Sequence, residues 1–502
     1  MWQNTAIRTL ILSVIAAAAL AASVQAPSRA SAQADLYAAR WNHAAESYRQ
    51  ILAVDPAWAE GWDGLVRALL EAHRSGEAFV AADEAAHHAP GAAPVETALG
   101  RVAFRRGDIT AAEREFRAAL KADPNYAGAL HGMAAIHALW SRFATARTLE
   151  MAACKSQPGD PELIRACADA THGPEHIAAL ERALGFLDAS TREARDLRAH
   201  IVADKALGDR STRVLESPYR PYELNLLTLS SRPSATLGLR VRFNNHYTAT
   251  LLLDTGADGI SLTRKAARKA GLEELEREGT EAHGVGDGKP ANSFTALARA
   301  VEAGGLALSN YPVQIFDAAR TPEHDGIIGT DVFSDFVIEI DPRRLVLRLT
   351  PYEDGLPDAD SPRDAAEPPP GFHRVLRRGH LLMAPTRIDD GAEVSLFLLD
   401  TGAALDLIDI DVARDASKLH GNARLLLTGV QGGVGQVERA GAMSFAFAGV
   451  REQDANTAAI SLRSLSDEEG LQQSGILGMP ALAGLKLTLD YRAGAVRLQP
   501  SR

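Results

Sequence analysis

Two aspartates stand in nearly identical settings far apart in this chain: Leu252-Leu253-Asp254-Thr255-Gly256-Ala257 and Leu398-Leu399-Asp400-Thr401-Gly402-Ala403. A carboxylate and a carboxylic acid brought together can hydrolyse a peptide bond without a metal or a covalent nucleophile. One takes a proton from water while the other protonates the carbonyl oxygen. Held about 3 Å apart, the pair shares a single proton, because two negative charges cannot comfortably persist at that separation. One segment supplies half of this machinery, and the duplicated segment supplies the rest.

Each aspartate closes a hairpin-like pattern of period two. Leu239–Phe243, a turn at Asn244-Asn245 and Ala249–Asp254 form the first; Leu382–Ile388, a turn at Asp389–Gly391 and Val394–Asp400 form the second. Downstream, Gly326-Ile327-Ile328-Gly329 and Gly475-Ile476-Leu477-Gly478 each precede a helix-like segment, a strand and then an aspartate, Asp341 or Asp490. A terminal strand follows each aspartate, Leu345–Leu349 or Ala495–Leu498, so the layout is an internal duplication. Asp258, Asp341, Asp406 and Asp490 are not assigned catalytic roles, since turn or capping duties suffice for Asp341 and Asp490 at strand ends. The stretch Pro351–Pro370, rich in Pro, Asp and Ala, reads as an extended linker between the copies.

The paired Leu-Leu-Asp-Thr-Gly-Ala segments, a Gly-rich stretch about thirty residues after each, and the Ile-Ile-Gly and Ile-Leu-Gly partners resemble the retropepsin-like aspartic proteases. The resemblance covers about residues 221–350 and 371–500. It implies that Asp254 and Asp400 bind the attacking water, that the Thr255 and Thr401 hydroxyls anchor the two loops, and that Gly256 and Gly402 permit the tight turns. Gly284, Gly286 and Gly288, and Gly429, Gly432 and Gly433, fall where the family carries a flap that closes over the peptide. Ile327, Ile328 and Gly329, with Ile476, Leu477 and Gly478, would pack under the active-site loops. The copies also differ, Asp-Thr-Gly-Ala-Asp-Gly against Asp-Thr-Gly-Ala-Ala-Leu, so symmetric activity does not follow.

The first third of the chain has another period. Pro56, Pro90, Pro124 and Pro158 recur every 34 residues, as do Ala44, Ala78, Ala112 and Ala146, with helical patterns between them. In Ile109–Pro124 the residues Ala112, Phe116, Ala119 and Leu120 share one face. Small alanines allow close helix approach, and each proline ends a helix. The period and the Ala/aromatic/Ala/Pro order resemble the tetratricopeptide repeat, which implies a scaffold that binds a protein partner or substrate. A role confined to supporting the lobes stays open beside it. His87-His88 reads as a solvated helix end rather than a ligand set.

A formal charge of −11 and the lack of a Lys/Arg block interleaved with aromatics argue against nucleic acid as a partner. No metal or cofactor is expected: the two cysteines, Cys154 and Cys167, have no CxxC or His cluster around them. They read either as buried thiols or, in an oxidising compartment, as a disulfide between adjacent helices. At the N-terminus Arg8, the apolar run Leu10–Ala22 and the small-residue sites Val24-Gln25-Ala26 and Ala30-Ser31-Ala32 read as a signal peptide. That predicts export to a periplasm or to the outside, with an uncleaved membrane anchor as the alternative.

The expected architecture is multidomain: an all-α tetratricopeptide-type helical repeat followed by two all-β retropepsin-like lobes. Its boundaries are a signal peptide at 1–32, the repeat at 33–180, a helical connector at 181–215, lobe 1 at 216–350, a linker at 351–370 and lobe 2 at 371–502. The expected function is an exported aspartic-type endopeptidase; the alternative is a non-catalytic peptide-binding module built on protease-like lobes.

Overall fold

The computed structural model describes residues 26–229, 234–276, 280–282, 285, 291–316, 324–356, 362–416, 419–422, 427–429, 432–454 and 456–501. Helices occupy the chain from Arg29 to Leu207, and strands dominate from Val214 onward. Most of the signal-like segment lies outside the described residues. The first helix, Arg29–Tyr37, is capped by Ser28 and buries Ala32, so it overlaps the end of that segment.

The 34-residue period becomes antiparallel helix pairs. The helices Trp41–Val54, Ser75–His88, Ile109–Ala122 and Phe143–Ser156 each end two residues before one of the recurring prolines. Ala44, Ala78 and Ala112 are fully buried, which lets neighbouring helices approach closely. The turn that precedes each of these helices carries a residue in the left-handed region at the same spacing: Ala39, His73, Gly107 and Ser141. Only one of the four is glycine, so the sequence concealed this repeat of backbone conformation.

Ion pairs and hydrogen bonds then tie distant helices of the repeat together. Arg67, in the helix Ala59–Glu71, forms a two-pronged contact with Asp160 at 2.5 and 2.9 Å and meets Glu162 at 2.7 Å. Arg101 pairs with Asp63 at 3.0 Å, and Gln157 donates to the Tyr37 hydroxyl at 2.5 Å. Cys154 and Cys167 form a disulfide that ties Phe143–Ser156 to the helix Pro161–Ala168.

Both lobes are sheets built from the expected hairpins. Thr236–Phe243 pairs with Tyr247–Asp254, turning at Asn244 and Asn245, both with positive φ. In the second lobe Leu381–Ile388 pairs with Ser395–Leu399. The lobes are joined in one chain by six strands. Leu485–Asp490 and Phe336–Asp341 pair directly, with Ile338 opposite Leu489 and Ile340 opposite Leu487; Ala495–Pro500 with His373–Arg374, and Val346–Pro351 with Tyr222–Leu229, extend the sheet on either side. One buried apolar cluster runs through both lobes.

The repeat docks on lobe 2. Ile109, Met133 and Leu139 share a core with Leu376, Met383, Leu396 and Leu471. Arg105 forms a buried ion pair with Asp467, and its carbonyl accepts from the Gln472 amide at 2.9 Å. The described part of the expected linker lies along the repeat: Asp364 accepts from the Thr145 amide at 2.9 Å, and the Ala365 amide donates to the Ser141 carbonyl at 3.0 Å.

Candidate active site

Asp254 ends its strand because the three residues that follow turn away from the sheet, and the partner strand Gly326–Gly329 runs parallel beneath it. Ile327, Ile328 and Gly329 stand opposite Leu252, Leu253 and Asp254, while the other edge of the same strand pairs with Ile260–Thr263. Lobe 2 repeats the arrangement: Ile476 and Leu477 lie opposite Leu398 and Leu399, with Leu407–Asp409 on the far edge. Each aspartate loop is thus threaded over a buried apolar strand that cannot shift without breaking two ladders.

The two loops meet through their threonines. The Thr255 hydroxyl donates to the Leu399 carbonyl at 2.6 Å and accepts from the Thr401 amide at 3.0 Å. Reciprocally, the Thr401 hydroxyl donates to the Leu253 carbonyl at 2.9 Å and accepts from the Thr255 amide at 3.2 Å. Both threonines are fully buried, so every one of these bonds is shielded from water.

This lattice sets Asp254 and Asp400 side by side, half-buried, with both carboxyls against the Gly256 position. Asp254 Oδ1 accepts from the Gly256 amide at 2.7 Å; Asp400 Oδ1 accepts from the Gly402 and Ala403 amides at 2.8 and 2.9 Å. Burial first, and then the neighbouring Asp254 charge, hold the Asp400 carboxyl well above the usual carboxylate range. A shared proton follows, which leaves one group as acid and the other as base.

Two further carboxyls brace the loops in mirrored fashion. In lobe 1, Asp331 accepts from the Gly259 amide at 3.0 and 3.2 Å; burial, reinforced by Asp258, pushes it up to about 6. In lobe 2, Asp406 accepts from the Gly478 amide at 2.7 Å, and burial pushes it up to about 7. The carboxyl comes from the strand-end side in one lobe and from the aspartate-loop side in the other, yet both tie the same two loops together. Asp341 and Asp490 lie elsewhere, capping turns through the Arg344 and Ala493 amides.

Of the flap glycines, Gly284, Gly286 and Gly288 lie outside the described residues. Gly429, Gly432 and Gly433 form a small hairpin with Thr428. Val285 of lobe 1 packs on the same apolar cluster as Leu427 and Val434 of lobe 2, together with Leu398, Leu407 and Ile476. Val285 of lobe 1 and Leu427 and Val434 of lobe 2 therefore meet on one apolar surface.

Three residues around the dyad escaped the motif reading. The Tyr491 hydroxyl meets that of Thr330 at 2.7 Å, both buried. His380 Nε2 lies 3.3 Å from the Gly256 carbonyl, and Asp331 is the brace just described. All three act across the lobes or between loops, so no local spacing announces them.

Residues 239–332 match the family model described as Aspartyl protease. A solved structure, an aspartic proteinase from Irpex lacteus, is 12% identical with a TM-score of 0.36, covering 56% of this chain and 97% of that one. Among curated proteins, Cellulose synthase operon protein C of Pseudomonas fluorescens is 27% identical over 201 residues, 38% of this chain. The match spans 16% of that relative's length. The chain combines an N-terminal helical repeat with two β lobes of aspartic-protease-like fold.

Proposed function

We propose that this chain is an exported aspartic-type endopeptidase in which Asp254 and Asp400 activate one water against a peptide carbonyl. The observation that carries the reading is the buried threonine lattice, which joins two separate Asp-Thr-Gly loops and sets their carboxyls side by side. The ionised partner takes a proton from water, the protonated partner donates to the carbonyl oxygen, and the pair emerges with its roles exchanged. A pure binding module has no evident need for this arrangement.

The Cys154–Cys167 disulfide is in keeping with an oxidising compartment, and with export. Of the two small-residue cleavage sites, the one after Ala26 suits the fold better, because it leaves Ser28 and the helix with buried Ala32 whole. For the repeats, a supporting role is favoured over recruitment: the buried Arg67 is already engaged by the chain's own Asp160 and Glu162.

The test is cleavage of a diverse peptide library by the mature protein from acidic to neutral pH. The mature chain should begin at Pro27, cleave in a statine-sensitive manner, and lose activity in both Asp254→Asn and Asp400→Asn. Peptide binding without any cleavage by the wild type would sink the catalytic reading.

A further inference from the structure

Among the described residues, the Gly256 loop carries an anchor that its twin lacks. In the hairpin registers Gly238 stands opposite Leu252 and Met383 opposite Leu398, so Ala235 and His380 occupy equivalent places just before the two outer strands. Ala235 has nothing to offer the other lobe. His380 reaches across the lobe boundary to the Gly256 carbonyl, 3.3 Å from Nε2, while Nδ1 lies 4.0 Å from Asp258. Since a carbonyl only accepts, Nε2 is the protonated nitrogen in this contact.

The turn that presents His380 is itself tied to the repeat. The Arg377 guanidinium lies over the Phe143 ring at 5.0 Å and over the Tyr491 ring at 5.3 Å. Phe143 opens the last helix to end at one of the recurring prolines. From that position Arg377 Nε donates to the Gly379 carbonyl and Nη1 to the Tyr491 carbonyl, both at 2.9 Å. Gly379, with φ of 57°, turns the chain so that His380 faces lobe 1. A continuous run of contacts thus leads from Phe143 through Arg377, Gly379 and His380 to Gly256, the residue whose amide holds Asp254.

We propose that His380 is a positioning residue for the Asp254 loop and that the helical repeat, through Phe143 and Arg377, holds it in place. This rests on the proteolytic reading only for its kinetic consequence. The peptide after Gly256 is thereby pinned from lobe 2, in a loop where a Cβ at Gly256 would lie 3.1–3.2 Å from both carboxyls.

The experiment is amide exchange, followed by mass spectrometry, on the full chain and on His380→Ala, His380→Gln and Phe143→Ala. Losing one hydrogen bond to the loop should speed exchange of the 255–259 amides by about tenfold in His380→Ala. Phe143→Ala should show the same local change. Glutamine offers an amide donor at similar reach, so His380→Gln should restore protection. In a cleavage assay kcat should fall for His380→Ala with KM nearly unchanged, and recover with glutamine. Wild-type exchange in His380→Ala, or equal loss in the glutamine variant, overturns the positioning role. Unchanged exchange in Phe143→Ala overturns the link to the repeat. If the wild type neither cleaves peptides nor binds statine, the proteolytic reading fails separately, and the exchange data still decide the anchor.

Discussion

A single methyl group on Gly402 would sit 2.4 Å from Asp254 Cγ and 2.5 Å from Oδ2, a distance no real Cβ tolerates. The same group on Gly256 would lie 3.1 Å from Asp400 Cγ and 3.2 Å from both nearest carboxyl oxygens, a contact that slight adjustment relieves. The dyad is therefore packed asymmetrically, although the two motifs read alike. Gly402→Ala is expected to lower kcat by a hundredfold or more, on the order expected for misplacing a reacting group by about 1 Å, with the fold retained by circular dichroism. Gly256→Ala should cost clearly less, and equal losses in the two variants would contradict this packing. Asp254, Asp400 and their threonines were legible because a short motif carries them twice. His380 was not, because its partner lies 124 residues away and the contact depends on how two lobes face each other.

At the scale of elements, each aspartate loop is fixed to the strand beneath it by a ladder that the sequence announces and by a carboxyl that it does not. Ile327-Ile328-Gly329 and Ile476-Leu477-Gly478 stand out as apolar runs ending in glycine, and they thread under the loops in both lobes. The braces Asp331 and Asp406 occupy different places in the two copies, so aligning one copy on the other conceals their common role. Asp406 is fully buried, and burial pushes its carboxyl up to about 7 from the ordinary 3.8. A folded state that binds this proton more tightly than the unfolded chain loses stability as pH rises above about 4, and the loss levels off beyond about 7. At about 1.4 kcal/mol per pH unit over that interval, the upper bound is a few kcal/mol. Asp406→Asn keeps the shape and an acceptor oxygen but cannot ionise. Its melting temperature relative to wild type should therefore be higher at pH 8 than at pH 5. A difference that does not change with pH would show that Asp406 is not the buried acid described here.

Across the whole molecule, the duplication leaves two ways to assemble one dyad: from the two lobes of a single chain, or from lobes exchanged between two chains. The sequence could not choose, because a linker of about twenty residues reaches far enough for either. Strand registers between residues some 150 positions apart leave no local trace. In the structure three strands of lobe 2 join the sheet of lobe 1 within one chain, with Ile338 opposite Leu489, and the repeat clamps lobe 2 through the Arg105–Asp467 pair and an apolar interface. These contacts make exchange costly, since a swapped lobe would have to carry its repeat contacts and its strand pairing with it. Asp254→Asn and Asp400→Asn, each inactive alone, test the point when mixed, unfolded and refolded together. Exchanged lobes would rebuild an intact dyad in mixed dimers and return roughly a quarter of the activity, since half of the dimers would be mixed and each would hold one intact site of two. Lobes paired within one chain return none, and the mixture should stay inactive and sediment as a monomer.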